Sequence, residues 1–159
     1  MIETLQASRI VIADASCLIV LTKIDSLDLL RILYSDIRTT PEVAVEYRYA
    51  LPDWIEIDQP EPDSNLYLDS KLASGDRSAI LLALQRTPSI VILDDLRARN
   101  AARENGLDVI GTLGVLLEAK RAGLIQSVQK PLQAILDTNF RVSEEIIQRF
   151  LRDSGENNR

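Results

Sequence analysis

The sequence of 159 residues contains no histidine. This absence excludes Ser-His-Asp and Cys-His catalysis, HExxH zinc chemistry and c-type haem attachment together. A single cysteine, Cys17, lies within an apolar run, so we expect a buried, reduced thiol and no disulfide between these residues. Any chemistry must therefore use carboxylates, hydroxyls, lysine, arginine or tyrosine.

Long apolar runs and an excess of positive charge are also missing. No stretch approaches the ~18 to 20 apolar residues of a membrane span, and the opening MIETLQASRI lacks the basic and apolar regions of a secretory signal. We therefore expect a cytoplasmic protein without membrane contact. The formal net charge of −6 argues against a general polyanion-binding surface. Bound divalent cations can nevertheless convert a local group of acids into a phosphate-binding site.

Short β-branched runs alternate with segments of helical periodicity along the whole chain. This alternation predicts βαβ units and a mainly parallel sheet covered by helices on both faces, a three-layer α/β/α fold. The length fits one domain, which we place at residues 1–153, followed by a frayed tail at 154–159. The expected strands are Ile10–Ile12 and the segments IRTT, WIEI, IVIL and DVI. The expected helices include one with Pro41 in its first turn, two closed by Gly106 and Gly123, and two beginning near Val128 and Ser143.

Acidic residues follow two of the expected strands. Asp14 comes after IVIA, and the pair Asp94 and Asp95 comes after IVIL, so parallel strands would deliver these acids to one edge of the sheet. Two further acids, Glu46 and Asp76, lie on helices. Two carboxylates about 4 Å apart repel by roughly 4 kcal/mol at an effective dielectric near 20. If these acids converge, either some are protonated or cations lie among them, and oxygen ligands select Mg²⁺ or Mn²⁺.

Each of these residues also has a simpler structural interpretation. Asp14, with Ser16 after it, forms an ordinary N-cap pattern, and Asp76 at the start of a helix suits the helix dipole. Glu46 fits an exposed helix position. The arginines of the segment after IVIL fit a solvated helix face: Arg97, Arg99 and Arg103. Only the combination of these acids favours a functional site.

Five segments together resemble the PIN-domain-like nuclease superfamily, and within it the DUF3368 branch. They are VIADASCLIVLTKI, PEVAVEY, GDRSAILLAL, VILDDLRARNAA and DVIGTLGVLLEAKRAGLI. The resemblance covers nearly all of Arg9 to Leu151. It implies a compact α/β/α fold with an acidic pocket that binds Mg²⁺ or Mn²⁺ and cleaves RNA. Many relatives are toxins of toxin–antitoxin pairs, so the resemblance also implies a homodimer inhibited by a small antitoxin protein.

The resemblance also implies roles for individual residues. The catalytic, metal-binding acids would be Asp14, Glu46, Asp76 and Asp95. Ser16 would supply a hydroxyl to the pocket. At the position of Asp76 this branch usually carries Glu. The side chain of Asp76 is therefore one methylene shorter than the usual acid. The family pattern favours Asp95 as the fourth acid, whereas the internal similarity to Asp14 points to Asp94. Because neighbouring residues at a strand end point in different directions, the other acid would have a supporting role. In that role, Asp94 would cap the following helix or orient an arginine.

Basic residues beyond the acid pair suggest contacts to RNA. If their helix begins at the rim of the pocket, Arg97 and Arg99 would contact phosphates, with Arg103 and Lys120 as weaker candidates. Three other functions fit part of the sequence. A catalytically inactive PIN-fold module would bind a protein, and a phosphoesterase of similar build would act on small substrates. In a receiver-like signalling domain, VILDD would be the opening strand and acid pair, but no acid ends the next strand, DVIG.

Overall fold

The computed structural model describes residues 9–157. Most of the opening MIETLQASRI, residues 1–8, and the end of the expected tail, residues 158–159, lie outside the described residues. The strands are β1 (Ile10–Ala13), β2 (Asp36–Thr39), β3 (Ile55–Ile57), β4 (Ser89–Ile92) and β5 (Asp108–Ile110). The helices are α1 (Ala15–Lys23), α2 (Asp28–Leu33), α3 (Pro41–Tyr47), α4 (Ser74–Gln85), α5 (Leu96–Glu104), α6 (Thr112–Arg121), α7 (Gln129–Leu136) and α8 (Glu144–Ser154).

The five strands form one parallel sheet in the order β3-β2-β1-β4-β5. Side chains alternate between its faces, because Val11 packs with α1, α2 and α3 whereas Ile12 packs with α4 and α5. A third apolar cluster joins α6, α7 and α8. The predicted α/β fold with a parallel sheet is confirmed. The segment IVIL belongs to the fourth strand rather than the first, so the receiver-like interpretation is wrong.

Local sequence signals explain where the helices begin and end. Thr40 caps α3 through a hydrogen bond from the Val43 amide, and Pro41 occupies its first turn as expected. Gly106 and Gly123 follow α5 and α6 with positive φ angles of 81° and 77°, which a glycine adopts without strain. The predicted closure of these two helices is confirmed.

The carboxyl end of the described chain is held against the domain. The sequence predicts fraying from residue 154, whereas the Glu156 carboxylate accepts hydrogen bonds from Lys120 Nζ at 2.6 Å and from the Val128 amide at 2.8 Å. The Ser127 hydroxyl donates to the same carboxylate. These contacts tie the end of α8 to α6 and to the start of α7. None of the helices within residues 9–157 is long and apolar enough to cross a membrane.

Candidate functional site

The order of the strands creates a crevice at the carboxyl ends of β1 and β4. The chain runs outward from β1 to β2 and β3 on one side and returns to β4 on the other, so the direction of winding changes between β1 and β4. In open parallel sheets, ligands bind at such switch points. Asp14 directly follows β1, and Asp94 lies just beyond β4. The amide of Asp94 donates to Asp14 Oδ2 at 3.4 Å, so the two acids are neighbours across this crevice.

Asp14 is only 2 % exposed and has two structural partners. Its Oδ1 accepts from the Cys17 amide at 2.8 Å, which confirms the N-cap interpretation. Burial, followed by the charge of Asp94, raises the pKa of Asp14 well above its ordinary value. Cys17 is buried as expected, and burial together with the charge of Asp14 raises the pKa of its thiol, so it is no nucleophile. Capping therefore accounts for one oxygen of Asp14 but not for the placement of two acids together.

Asp94 is fixed by the first residue of α6. Its Oδ1 accepts from the Thr112 amide at 2.8 Å, and its Oδ2 accepts from the Thr112 hydroxyl at 2.6 Å. Burial raises the pKa of Asp94, although the Thr112 donors, Arg99 and Ser16 oppose the rise. Gly111 is needed here, since a Cβ at this position would lie 3.0 Å from Asp94 Oδ1 and 2.6 Å from Arg99 Nη1. Asp94 therefore has one fixed orientation, and Ser16 and Arg99 lie near it.

Asp95 has a different environment from Asp94. Its Oδ2 accepts from the Ala98 amide at 3.0 Å, so Asp95 is the N-cap of α5 and its side chain lies at the exposed surface. The prediction that Asp94 caps the following helix is therefore wrong. Asp94 instead accepts a hydrogen bond from the first amide of α6 and lies beside Arg99. This position agrees with the alternative prediction, in which Asp94 orients an arginine. Which of the two acids binds a metal ion stays a prediction, and the contact with Asp14 favours Asp94.

Asp76 lies in the first turn of α4. The N-cap of this helix is Ala73, which provides no side-chain hydrogen bond, and Asp76 follows it in the first turn, as the helix-dipole interpretation expects. Burial, followed by the charges of Asp95, Glu46 and Asp94, raises the pKa of Asp76 to about 6. The acids that surround Asp76 thus come from two other parts of the chain, and they are close enough to raise its pKa.

This shift predicts how the stability of the metal-free protein depends on pH. The ordinary pKa of an aspartate is about 4, so native Asp76 keeps a proton between about pH 4 and pH 6 that the unfolded chain releases. Stability falls with pH wherever the native state binds more protons. We therefore expect the melting temperature of the chelator-treated protein to be lower at pH 7 than at pH 5.

Calorimetric scans at pH 5, 6 and 7 on wild type and Asp76→Asn would check this dependence. The window is favourable because the chain contains no histidine to titrate within it. The Asp76→Asn variant should show a smaller decrease between pH 5 and pH 7. A decrease of equal size in both proteins would contradict the assignment to Asp76.

Glu46 reaches the cluster from the last turn of α3. It is exposed on the helix, as its simpler interpretation expects, but its carboxylate lies directly over Gly75. A Cβ on Gly75 would be 2.6 Å from Glu46 Oε1. The two helices are joined by a buried hydrogen bond of 2.7 Å between the hydroxyls of Thr40 and Ser78, and Ser78 donates to the Gly75 carbonyl at 2.8 Å. This connection sets the position of Glu46 relative to Asp76.

The Gly75→Ala substitution should displace the Glu46 carboxylate without unfolding the protein. The atom that the new methyl group meets is the end of a flexible side chain, and alanine in a helix is more favourable than glycine by up to about 1 kcal/mol. We expect the stability to be unchanged or higher. If Glu46 assists cleavage of RNA, the rate should fall by about 10- to 100-fold, because small displacements of a catalytic group have effects of this size.

A double-mutant cycle with Glu46→Gln provides the control for this prediction. If Gly75→Ala acts by moving Glu46, adding it to Glu46→Gln should cause little further loss of cleavage. Fully additive losses would show that Gly75→Ala acts through another group.

The acid cluster has no ion-pair partner among the described residues. Within residues 9–157, no lysine or arginine lies within salt-bridge distance of any of the five acids: Asp14, Glu46, Asp76, Asp94 and Asp95. Over the same range, no three acidic side chains converge closely enough to form a complete cation cage. Mg²⁺ usually keeps several waters and binds one or two carboxylates directly. The donors at Asp14 and Asp94 therefore fit such an ion.

Two arginines predicted to contact RNA, Arg97 and Arg99, lie on different sides of α5. Arg99 is half-buried, and its Nη1 donates to the Leu93 carbonyl at 2.9 Å beside Asp94. Arg97 is exposed and lines another surface depression, with Asp95 and Lys71. Lys120 donates hydrogen bonds to Glu156 and to the Ser154 carbonyl, so the structure does not support it as a contact to RNA. Of these residues, Arg99 lies nearest to the paired acids.

Sequence reasoning missed three residues that shape the site. Thr112, Gly75 and Gly111 are ordinary residues whose importance depends on neighbours distant in the chain. The only signal for Thr112 is that it opens a helix directly after a strand, where amide groups are free to bind an acid.

Comparison with known proteins agrees with this architecture. The model of the DUF3368 family, described as a PIN domain, matches residues 10–156. The match includes all five acids as well as Gly75, Gly111 and Thr112. No curated protein and no solved structure matches the chain.

Proposed function

The chain belongs to the DUF3368 family of PIN domains, and from this membership we propose that it is a ribonuclease dependent on Mg²⁺ or Mn²⁺. PIN domains are generally nucleases. The observation that carries the proposal is the group of acids without ion-pair partners at the crevice between β1 and β4, with Asp14 and Asp94 at its centre. Burying like charges together is costly unless a ligand compensates them, so the cluster favours a function that uses a cation.

Each residue has a distinct part in the proposed mechanism. Asp14 and Asp94 would hold the ion, and Asp76 and Glu46 would bind its water ligands or a second ion. Thr112 fixes both oxygens of Asp94. Asp95 fixes the start of α5 and adds negative charge beside Asp76. An ion held there would supply the activation of the attacking water and the stabilisation of the departing oxygen.

Two neutral or cationic groups beside the acids would position the substrate. The Ser16 side chain lies near Asp94 at the start of α1, where it can donate a hydrogen bond to a phosphate oxygen. Arg99 lies on the other side of Asp94, held by its bond to the Leu93 carbonyl. A scissile phosphate placed between these groups would neutralise Arg99 while the acids retain the metal.

We further propose that the protein is the toxin component of a toxin–antitoxin pair. The resemblance to such toxins supports this biological role, together with a homodimer and a small inhibitory antitoxin protein. An uninhibited nuclease that cleaves cellular RNA would be harmful, which supports the presence of an inhibitor.

Incubation of the purified protein with a labelled single-stranded RNA tests the enzymatic proposal. We expect shortened products with Mg²⁺ or Mn²⁺ and none after treatment with chelator. Equal cleavage in chelator would contradict the metal-dependent mechanism. Saturable Mn²⁺ binding without cleavage of any RNA in a broad panel would instead favour a catalytically inactive protein-binding module, and cleavage of only small phosphoesters would favour a phosphoesterase.

A further inference from the structure

A groove of about 510 Å³ begins at the acid cluster and runs along the domain. Asp94 and Gly111 form the end beside the crevice, and residues of α5, α6 and α8 form the walls. The volume lies within the range of 300 to 1,000 Å³ that is usual for small-ligand sites. The groove therefore adjoins the proposed reaction centre and is large enough for one nucleotide unit.

The walls of this groove carry concentrated positive charge. Four arginines line it: Arg99, Arg103, Arg141 and Arg149. Among the residues that the structure describes, none of the four lies within salt-bridge distance of a carboxylate. Two acids, Asp94 and Asp153, also line the groove. In a chain with a net charge of −6, a groove with four arginines and two acids is complementary to an anion.

Two of the arginines that line the groove are close enough to interact electrostatically. Burial, followed by the charge of Arg103, lowers the pKa of Arg99, whereas Asp94 and Asp14 oppose the decrease. A phosphate between these guanidinium groups would relieve their repulsion and accept hydrogen bonds from both. The crowding thus supports an anionic ligand at the end of the groove near Asp94.

Apolar side chains line the groove beside the arginines, and we call this set the apolar floor. It consists of Leu113 and Leu117 of α6 and of Phe140, Ile146 and Phe150 of the last part of the domain. Along α8, Arg149 and Phe150 follow Ile146 by three and four positions, so both lie on the same side of the helix as Ile146. This face places an arginine beside the apolar floor, as a ligand with both a flat apolar part and a phosphate requires.

We infer that this groove binds an unpaired nucleotide of the RNA strand, next to the phosphate that is cleaved. This inference rests on the proposed function and adds Arg149 of α8 as a residue that contacts the RNA beside the reaction centre. The base lies on the apolar floor, where Phe140 offers an aromatic surface, and the phosphates contact the arginines. A base held in a duplex cannot reach the floor without breaking its pair, so paired RNA would bind only through its backbone.

Binding of a fluorescein-labelled, unstructured RNA of twelve nucleotides tests this inference by fluorescence anisotropy in chelator. Chelator suppresses metal-dependent cleavage and leaves the contacts of the groove available. The variant is Arg149→Gln, and the matched control is Arg152→Gln, an exposed arginine of the same helix outside the groove. The same RNA annealed to its complement serves as the duplex probe.

We expect Arg149→Gln to weaken binding of the single strand by about 3- to 10-fold. The slope of log affinity against log salt concentration should become less steep by about one unit, because one fewer counterion is released. Arg152→Gln should change the affinity by less than about twofold. For the duplex, the two variants should differ by less than about twofold. This pattern would show that the groove itself contributes, rather than the total charge alone.

Three results would overturn the inference. Equal effects of the two variants on the single strand would assign binding to the overall electrostatic field. Equal loss of single-strand and duplex binding in Arg149→Gln would exclude a base on the floor. Unchanged RNA affinity with an altered sedimentation coefficient in Arg149→Gln would assign the groove to a second copy of the chain.

If wild type cleaves RNA while any of these results holds, only the groove inference fails. If wild type neither binds nor cleaves RNA, the proposed function fails as well.

Discussion

The Asp94→Asn variant should cleave RNA about 10²- to 10³-fold more slowly than wild type, whereas Asp95→Asn should lose less than about tenfold. Removing one preorganised group that stabilises charge in a reaction centre has effects of the larger size. Asp94 contacts Asp14 across the crevice and is held on both oxygens by Thr112. Asp95 caps α5, and an asparagine keeps that hydrogen bond.

Single-turnover cleavage of one labelled RNA at saturating Mg²⁺ measures these rates. Circular dichroism and melting curves on both variants provide the control for folding. A large loss in Asp95→Asn with a small loss in Asp94→Asn would restore the assignment that the family pattern favours and contradict the geometry of the crevice.

The Asp14→Asn variant should lose cleavage to a similar extent and, in the absence of metal, should be more stable than wild type at pH 7.5. Asparagine keeps the acceptor for the Cys17 amide, so the cap of α1 is preserved. At the same time the substitution removes a buried carboxyl group whose ionisation beside Asp94 is unfavourable, so the free-energy cost of burying this group at pH 7.5 disappears. We expect a gain of about 1 to 2 kcal/mol, which corresponds to a rise in melting temperature of roughly 2 to 8 °C.

Melting curves in chelator measure this effect, and Asp95→Asn is the matched control, because Asp95 is also an N-cap but is exposed. Its melting temperature should change less than that of Asp14→Asn. A lower melting temperature for Asp14→Asn would show that the fold needs this charge. In that case, the acids would have a structural role and the proposed metal site would lose its main support.

Much of the fold could be predicted from the sequence because its signals are local. β-branched runs such as those of β1 and β4 alternate with helices that begin at strong caps and end at Gly106 and Gly123. Acids after parallel strands must lie at one edge of the sheet, so Asp14 and Asp94 could be expected near each other. The convergence of Glu46 and Asp76 on this edge was implied by the family resemblance, since helix positions alone do not determine it.

The division of roles between Asp94 and Asp95 depended on one local detail. The N-cap is the residue directly before a helix, so the start of α5 at Leu96 makes Asp95 the cap. The sequence pattern did not locate this start closely enough. Asp94 then points to Thr112, eighteen positions away, which no local signal could show.

The remaining features of the site depend on contacts between distant segments. Gly75 matters because Glu46 of another helix lies over it, and Gly111 matters because Asp94 and Arg99 approach it. The groove joins α5 to Arg149 of α8, about fifty residues apart in the chain. Close approach and shared exposure are properties of the packed chain, so periodicity and spacing do not reveal them.

Calorimetric titration of Mn²⁺ into metal-free wild type and Asp14→Asn at pH 7.5 tests the central claim most directly, because it measures binding at the acids without requiring an RNA substrate. We predict a saturable site in wild type whose affinity falls by at least about tenfold in Asp14→Asn and changes much less in Asp95→Asn. Equal Mn²⁺ affinity in wild type and Asp14→Asn would contradict the assignment of the crevice between β1 and β4 as a metal centre.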